Sequence, residues 1–317
     1  MTKSRKLEEL LTLLNQIQGE PTSESAIATL QQVINSKYAV AVARAAKLVC
    51  KSEIQALVPD LVFAFDRFMS NPATTDPNCL AKTAIAEALY RLESRAENLF
   101  LKGIHHVQME SVYGGKVDTA PSLRGVCALG LVRMNYPEVM VELADLLADP
   151  ESEARIVAAR AIAYSENPQG VPLLRLKVRV GDPGFQVLSE CFIALLKLAP
   201  AQSLPLVASF LDSSEAQLCE MAALALGESR LHPAFPPLRD WWQRSRNPEL
   251  RRTALLAIAM LRHADAIEFL LSLIPAGKDA DVQDAIAALG LYQHDRDLWQ
   301  RVCQYAEQHG KAHLLTL

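Results

Sequence analysis

Two histidines, a glutamate, a tyrosine and an aspartate crowd into one stretch of this sequence, FLKGIHHVQMESVYGGKVDTAPSLRG, residues 100–125. His105, His106, Glu110, Tyr113 and Asp118 could in principle ligate a metal, move a proton or hold a partner. If residues 104–111 wind as a helix, His106 and Glu110 stand one turn apart and could share a metal ion. His105 then points elsewhere, and Asp118 joins the pair only if the loop folds back. Gly114-Gly115 permits a turn that residues with side chains resist. That pair is neither a GxGxxG nor a phosphate loop, and the chain has no GxSxG, HExxH or CxxC. A long polar loop on a regular scaffold fits partner binding, or a plain structural insertion, better than catalysis. No catalytic residue, metal or cofactor is therefore assigned. The partner-binding candidates here are His105, His106, Glu110 and Tyr113, with Arg124 following.

A second set lies in FPPLRDWWQRSR, where Trp241 and Trp242 are adjacent. Neighbours on a helix point about 100° apart, so one can enter the core while the other meets the rim. Tryptophan at a rim is a favoured interface residue. Arg239, Arg244, Arg246, Arg251 and Arg252 surround the pair, partly offset by Asp240 and Glu249. Trp241, Trp242 and Arg251 join the partner-binding candidates, although core packing and a solvated charged face explain most of this segment. His263 and His294 end second helices, where they can cap carbonyl groups. Cys50, Cys79, Cys127, Cys191, Cys219 and Cys303 mostly fall inside apolar helical text, as small buried hydrophobes in a reduced compartment do.

The composition narrows the class of partner. Lys and Arg total 32 against 36 Asp and Glu, a net charge of -4, so no strong basic field gathers a nucleic-acid backbone. No apolar run reaches the roughly 18–20 residues that span a bilayer. Glu8 and Glu9 break what would be the apolar core of a signal peptide. The start reads instead as an amphipathic helix with Leu7, Leu10, Leu11, Leu14 and Ile17 on one side, and a cytoplasmic location is expected.

These residues must be positioned by helices. Ala-rich cores recur as GVCALG, AARAIA, SECFIA, MAALALG, ALLAIA and AIAALG, ending at Gly130, Ala163, Ala194, Gly227, Ala259 and Gly290. The ends are 33, 31, 33, 32 and 31 residues apart, a beat that stacked helical pairs require because each covers its neighbour's apolar face. An amphipathic segment precedes each core. Asp149-Pro150, Asp182-Pro183 and Asn247-Pro248 mark where second helices begin, the Asp or Asn accepting from unpaired N–H groups and the Pro filling the first position. Ser213 or Ser214 and Asp279 serve the same need elsewhere. Ala163 and Ala225 are expected at the seam between layers. Earlier cores end near Tyr90 and Cys50, about 40 residues apart, with a turn-rich loop at 71–79. The last stretch is expected to cap the final layer.

EARIVAARAIA and LRRTALLAIAML resemble HEAT repeats, and the short units resemble the HEAT-like repeats of bilin lyase subunits. The resemblance is firm over 116–292 and weaker over 20–100. It implies an all-α fold, a right-handed alpha-alpha superhelix of HEAT/armadillo type with seven to eight helical pairs. Arg155 and Arg251 match the basic position near the start of the second helix, with Gln186 and Cys219 as counterparts in two other units. Three regions follow: irregular helical repeats over 1–100, an insertion over 101–121, and regular repeats with a cap over 122–317. The function expected is a non-catalytic protein-binding scaffold or assembly factor. Lyase subunits act on open-chain tetrapyrroles of light-harvesting proteins, so the resemblance also admits a bilin or light-harvesting partner, with Glu110 and Arg124 as conceivable contacts. Nucleic-acid binding is the least favoured class.

Overall fold

A computed structural model describes residues 2–315, and the side chains of 5–315. The chain forms two compact units, residues 1–165 and 166–317. Each is a row of antiparallel helical pairs, so the architecture is an all-α solenoid.

The first unit opens with α1 (Thr2–Gln16) and continues as pairs: α2 (Glu24–Ile34) with α3 (Ala39–Lys51), and α4 (Val58–Phe68) with α6 (Leu80–Arg91). The one-turn helix α5 (Pro72–Thr75) interrupts the second pair. Then come α7 (Glu97–Ile104) with α8 (Pro121–Arg133), and α9 (Val139–Leu147) with α10 (Ser152–Ser165). The second unit pairs α11 (Gly170–Val180) with α12 (Phe185–Leu198), and α13 (Pro200–Ala208) with α14 (Ala216–Glu228). It continues with α15 (Phe235–Arg244) and α16 (Pro248–Met260), then α17 (Ala264–Ala276) and α18 (Asp279–Leu289), and α19 (Arg296–Gln308) packs on this last pair.

Second helices stack on second helices: α3, α6, α8 and α10 in one unit, α12, α14, α16 and α18 in the other. Small residues allow it. A Cβ on Gly227 would lie 2.5 Å from the Ala257 carbonyl oxygen of the next layer, so only glycine admits that approach. Ala225 is buried in the same seam. Ala163 is half-exposed at the end of α10, and the seam there falls to Ala158, Ala159 and Ala161 instead.

The expected side-chain acceptors form except at Asp279, but of the three prolines only Pro248 takes the first helical position. Helix α10 starts at Ser152 and α12 at Phe185, so Pro150 and Pro183 lie in the turns before them. Asp149, Asp182 and Asn247 each accept the N–H two residues on, at 2.8, 2.8 and 2.9 Å. Ser213 does the same for Glu215 at 3.1 Å. Asp279 instead lies inside α18, after Lys278 in the capping position, and pairs with Lys311. Among the described residues no helix is long and apolar enough to cross a membrane.

Candidate functional site

Helix α7 ends at Ile104, so residues 104–111 do not continue as the helix that would align His106 with Glu110. They enter an antiparallel hairpin, β1 (Met109–Val112) and β2 (Gly115–Asp118), in which Glu110 pairs with Val117 and Val112 with Gly115. Tyr113 and Gly114 make the turn. Gly114 has φ +94°, a conformation that side-chain-bearing residues resist. The alternation V-Q-M-E-S-V before Tyr-Gly-Gly is the sequence signal for such a hairpin.

The hairpin stands on a polar seat. Among the described residues six polar or charged side chains are buried, and four of them belong to this seat: Asp76, Lys82, Gln108 and Arg124. Gln108 is its hub. Its Nε2 donates to the Asp76 carbonyl at 2.9 Å and to Glu110 Oε1 at 2.7 Å, while its Oε1 lies 3.2 Å from His106 Nε2. Glu110 Oε1 also accepts from the Asn78 N–H at 2.7 Å and the Thr119 hydroxyl at 2.8 Å. Beneath, Asp76 accepts from the Ala81 and Lys82 N–H groups, capping α6, and pairs with Lys82 Nζ at 3.0 Å with both side chains fully buried. The loop that reaches this geometry holds Asn71, Asn78 and Cys79 at positive φ. Neither Asp76 nor Lys82 stood out in the sequence, because their pairing needs the irregular turn between them, and the link to the hairpin runs from Asp76 to Gln108, 32 residues on.

Arg124 locks the other flank. Its Nη1 donates to Asp118 Oδ2 at 2.7 Å and to the His106 carbonyl at 2.9 Å; its Nη2 donates to Asp149 Oδ1 at 2.8 Å. The guanidinium thus ties the hairpin base to the turn before α10. Its side chain is 3% exposed.

Titration follows from this packing. Burial works against charge on Glu110, but donors from Gln108, Thr119 and Asn78 outweigh it and hold the carboxyl below its usual range. Burial likewise opposes charge on Asp118, and the N–H groups of Gln108 and Ala120 together with Arg124 still depress it. Burial lowers the His106 imidazole, favouring the neutral ring. Cys79, buried under the loop, is pushed up to about 11 by desolvation, so it is a thiol rather than a nucleophile.

Of the residues singled out from sequence, His106, Glu110 and Arg124 come together through Gln108 and Asp118. His105 turns away and meets Glu142 on α9 at 2.9 Å. Tyr113 projects fully into solvent at the tip. Among the described residues no three His, Cys, Asp or Glu side chains are arranged to hold a metal. The hairpin exposes a run of apolar side chains, Val107, Met109, Val112, Tyr113 and Val117, beside Ser111 and Lys116. Only Tyr113 of these was a candidate from sequence.

Trp241, Trp242 and Arg251 lie in the other unit. Trp241 is buried, and Trp242 is half-buried with its ring edge-on to Phe269, centroids 5.5 Å apart. Arg251 lies over the Trp242 ring at 4.4 Å, donates to the Trp242 carbonyl at 2.8 Å and pairs with Asp281 at 2.7 Å. His263 Nε2 donates to the Arg230 carbonyl, 2.6 Å away, from the position just before α17. It thus serves a carbonyl, as expected, but one that follows α14.

Comparison with known proteins matches residues 204–290 to the family described as HEAT repeats. No curated protein matches the chain. Among solved structures, the complex of CpcE and CpcF of phycocyanin lyase from Nostoc sp. PCC7120 is similar at 17% identity, covering 72% of this chain and 88% of that one, with a TM-score of 0.39. Human deoxyhypusine hydroxylase is also 17% identical, covering 87% and 99%, with a TM-score of 0.34. An engineered protein is 14% identical over 99% and 95%, with a TM-score of 0.44.

Proposed function

We propose that this HEAT-repeat chain is a non-catalytic scaffold or assembly factor that grips a protein partner through the hairpin at residues 107–118. The HEAT repeats suggest a protein-interaction scaffold, and the hairpin supplies its specific contact. One observation carries this reading: five exposed apolar side chains are gathered on an element whose base is fixed by buried charge. Water does not favour such side chains, and nothing in the packing of the pair α7–α8 calls for them. A rigid base reduces the ordering cost of association, and an aromatic at the tip is a favoured anchor.

The hydrogen-bonding groups of His106, Glu110 and Arg124 are spent within the seat, so their role is to position the hairpin. The surface test is therefore a variant that spares them. Met109→Ser, Val112→Ser and Tyr113→Ala combined should leave the helical circular dichroism unchanged. Capture of the cellular partner should weaken at least tenfold, about 1.4 kcal/mol. Undiminished capture by a folded triple variant rules the hairpin out as the recognition element.

A further inference from the structure

A second surface in the first unit, independent of the hairpin, has a distinct chemistry. We propose that the groove across the C-terminal halves of α3, α6 and α8 binds an extended, carboxylate-rich segment of a protein partner. The groove encloses about 1080 Å³ and is lined by Lys47, Lys51, Tyr90, Arg91 and Arg133. Its acids are largely spoken for. Glu87 pairs with Arg91 and Glu93 with Arg133, each at 3.0 Å, which leaves exposed Glu53 as the other carboxylate in the lining.

The decisive feature is the outer face of α3. Its exposed positions are Val40, Arg44, Lys47 and Lys51: three cations at helical spacing and no acid. None of the three cations takes part in an ion pair among the described residues. Lys51, Arg91 and Arg133 are each the last residue of a helix, where a cation offsets the carbonyl end of the dipole. That effect fades within the last turn, so it does not account for Arg44 or for the whole row. On α16 the comparable surface cation is neutralised, since Arg252 meets Asp284 at 3.0 Å. Among the described residues the α3 cations have no such counterpart.

The shape selects the ligand class. Small-molecule sites are enclosed and mainly apolar, whereas this groove is open and lined by charge. Three adjacent helices about 8–10 Å apart give a track of roughly 20 Å, the length of about six extended residues. Carboxylates spaced along such a segment can meet Lys47 and Lys51 in the groove, with Arg44, about one turn earlier on α3, just beyond its lining. A nucleic-acid backbone would need a cationic stripe uninterrupted by Glu53, Glu87 and Glu93.

Fluorescence anisotropy with a labelled oligoglutamate of about ten residues at low salt tests the proposal. The wild-type chain should bind it, and binding should weaken as salt screens the charges. The triple reversal Arg44→Glu, Lys47→Glu, Lys51→Glu should lose at least tenfold in affinity. The neutral triple to Gln should lose less and keeps the test decisive if the reversal disturbs folding. The hairpin variant Met109→Ser, Val112→Ser, Tyr113→Ala should bind oligoglutamate like wild type, which separates this site from the hairpin. Absence of binding, equal affinity in the neutral triple, loss of binding in the hairpin variant, or tighter binding of oligodeoxythymidylate of the same length would each overturn the proposal.

Discussion

Arg124 and Arg251 occupy the same place in their repeats, the fourth residue of α8 and of α16, yet they do different work. In the second unit Arg251 performs repeat maintenance. It collects the Trp242 and Ser245 carbonyls at the end of α15 and reaches Asp281 in the next layer. Its side chain remains 21% exposed, so water shares the load. In the first unit Arg124 keeps the link to the next layer through Asp149 but turns its other edge to Asp118 and the His106 carbonyl. An ordinary ladder position has been extended into a clamp for a non-helical insertion. The lesson is that the repeat supplies an oriented cation, and the local chain decides what it holds.

Replacing each arginine by an apolar residue should expose this difference. Arg124→Met leaves Asp118 and Asp149 buried without their cation, and loss of one member of a buried ionic set costs about 3–5 kcal/mol. Chemical denaturation should report that loss, and a cost near that of a surface substitution would refute the clamp. A regular seam provides the next measure. Ala225→Leu on α14 should cost about 1–3 kcal/mol by overpacking, while exposed Glu215→Ala should cost less than about 0.5 kcal/mol. Equal small costs would show that α14 is assigned the wrong face. Arg251→Met should fall at about 1–2 kcal/mol, because its carbonyl partners and Asp281 can take up water. If it equals Arg124→Met, the two positions are energetically alike and the contrast fails.

The smallest effect is set by pH and centres on the hairpin. His106, Glu110 and Asp118 are all depressed in the folded chain, so the unfolded chain binds protons more readily. The stability they contribute is present above their unfolded pKa values and is lost as pH falls through the folded ones. His106 begins this loss below about 6.5, and the two carboxylates continue it below about 4. Amide exchange in residues 107–119 should therefore speed up on acidification more than exchange at the α14–α16 seam, after correction for intrinsic rates. Uniform acceleration in both regions would mean that the seat titrates no differently from the rest.

Much of this architecture is legible from residue order. The 31–33-residue beat and the small residues at its ends arise from one local requirement repeated, so a single chain displays it openly. The hairpin was harder to see, because two four-residue strands lie between strong helices and their alternation is brief. Reading 104–111 as helix placed His106 over Glu110 directly; the fold joins them instead through Gln108. The seat itself is a set of long-range pairings, Asp76 with Gln108 and Asn78 with Glu110, which no local pattern encodes. The ladder shows the same limit. Gln186 is the second residue of α12 and bonds Glu190, while the fourth is buried Leu188. There the preceding helix provides the cation, Lys177 reaching Asp182 at 2.7 Å. In α14 the fourth residue, Cys219, directs its thiol to the Ser213 carbonyl at 3.3 Å, so a smaller group holds the same turn.

The open space around the turn has an evolutionary meaning. An added Cβ on Gly114 or Gly115 would meet nothing within 4 Å, and both lie beyond the last rung tied to the seat. Residues 111–113 and 116 can thus diverge while the two glycines keep the turn, or the arms can lengthen by a residue pair each, without disturbing Gln108, Asp118 or Arg124. Selection acting on the tip is decoupled from selection acting on the fold. A lineage can exchange one partner for another there while the repeats beneath it stay under a separate constraint.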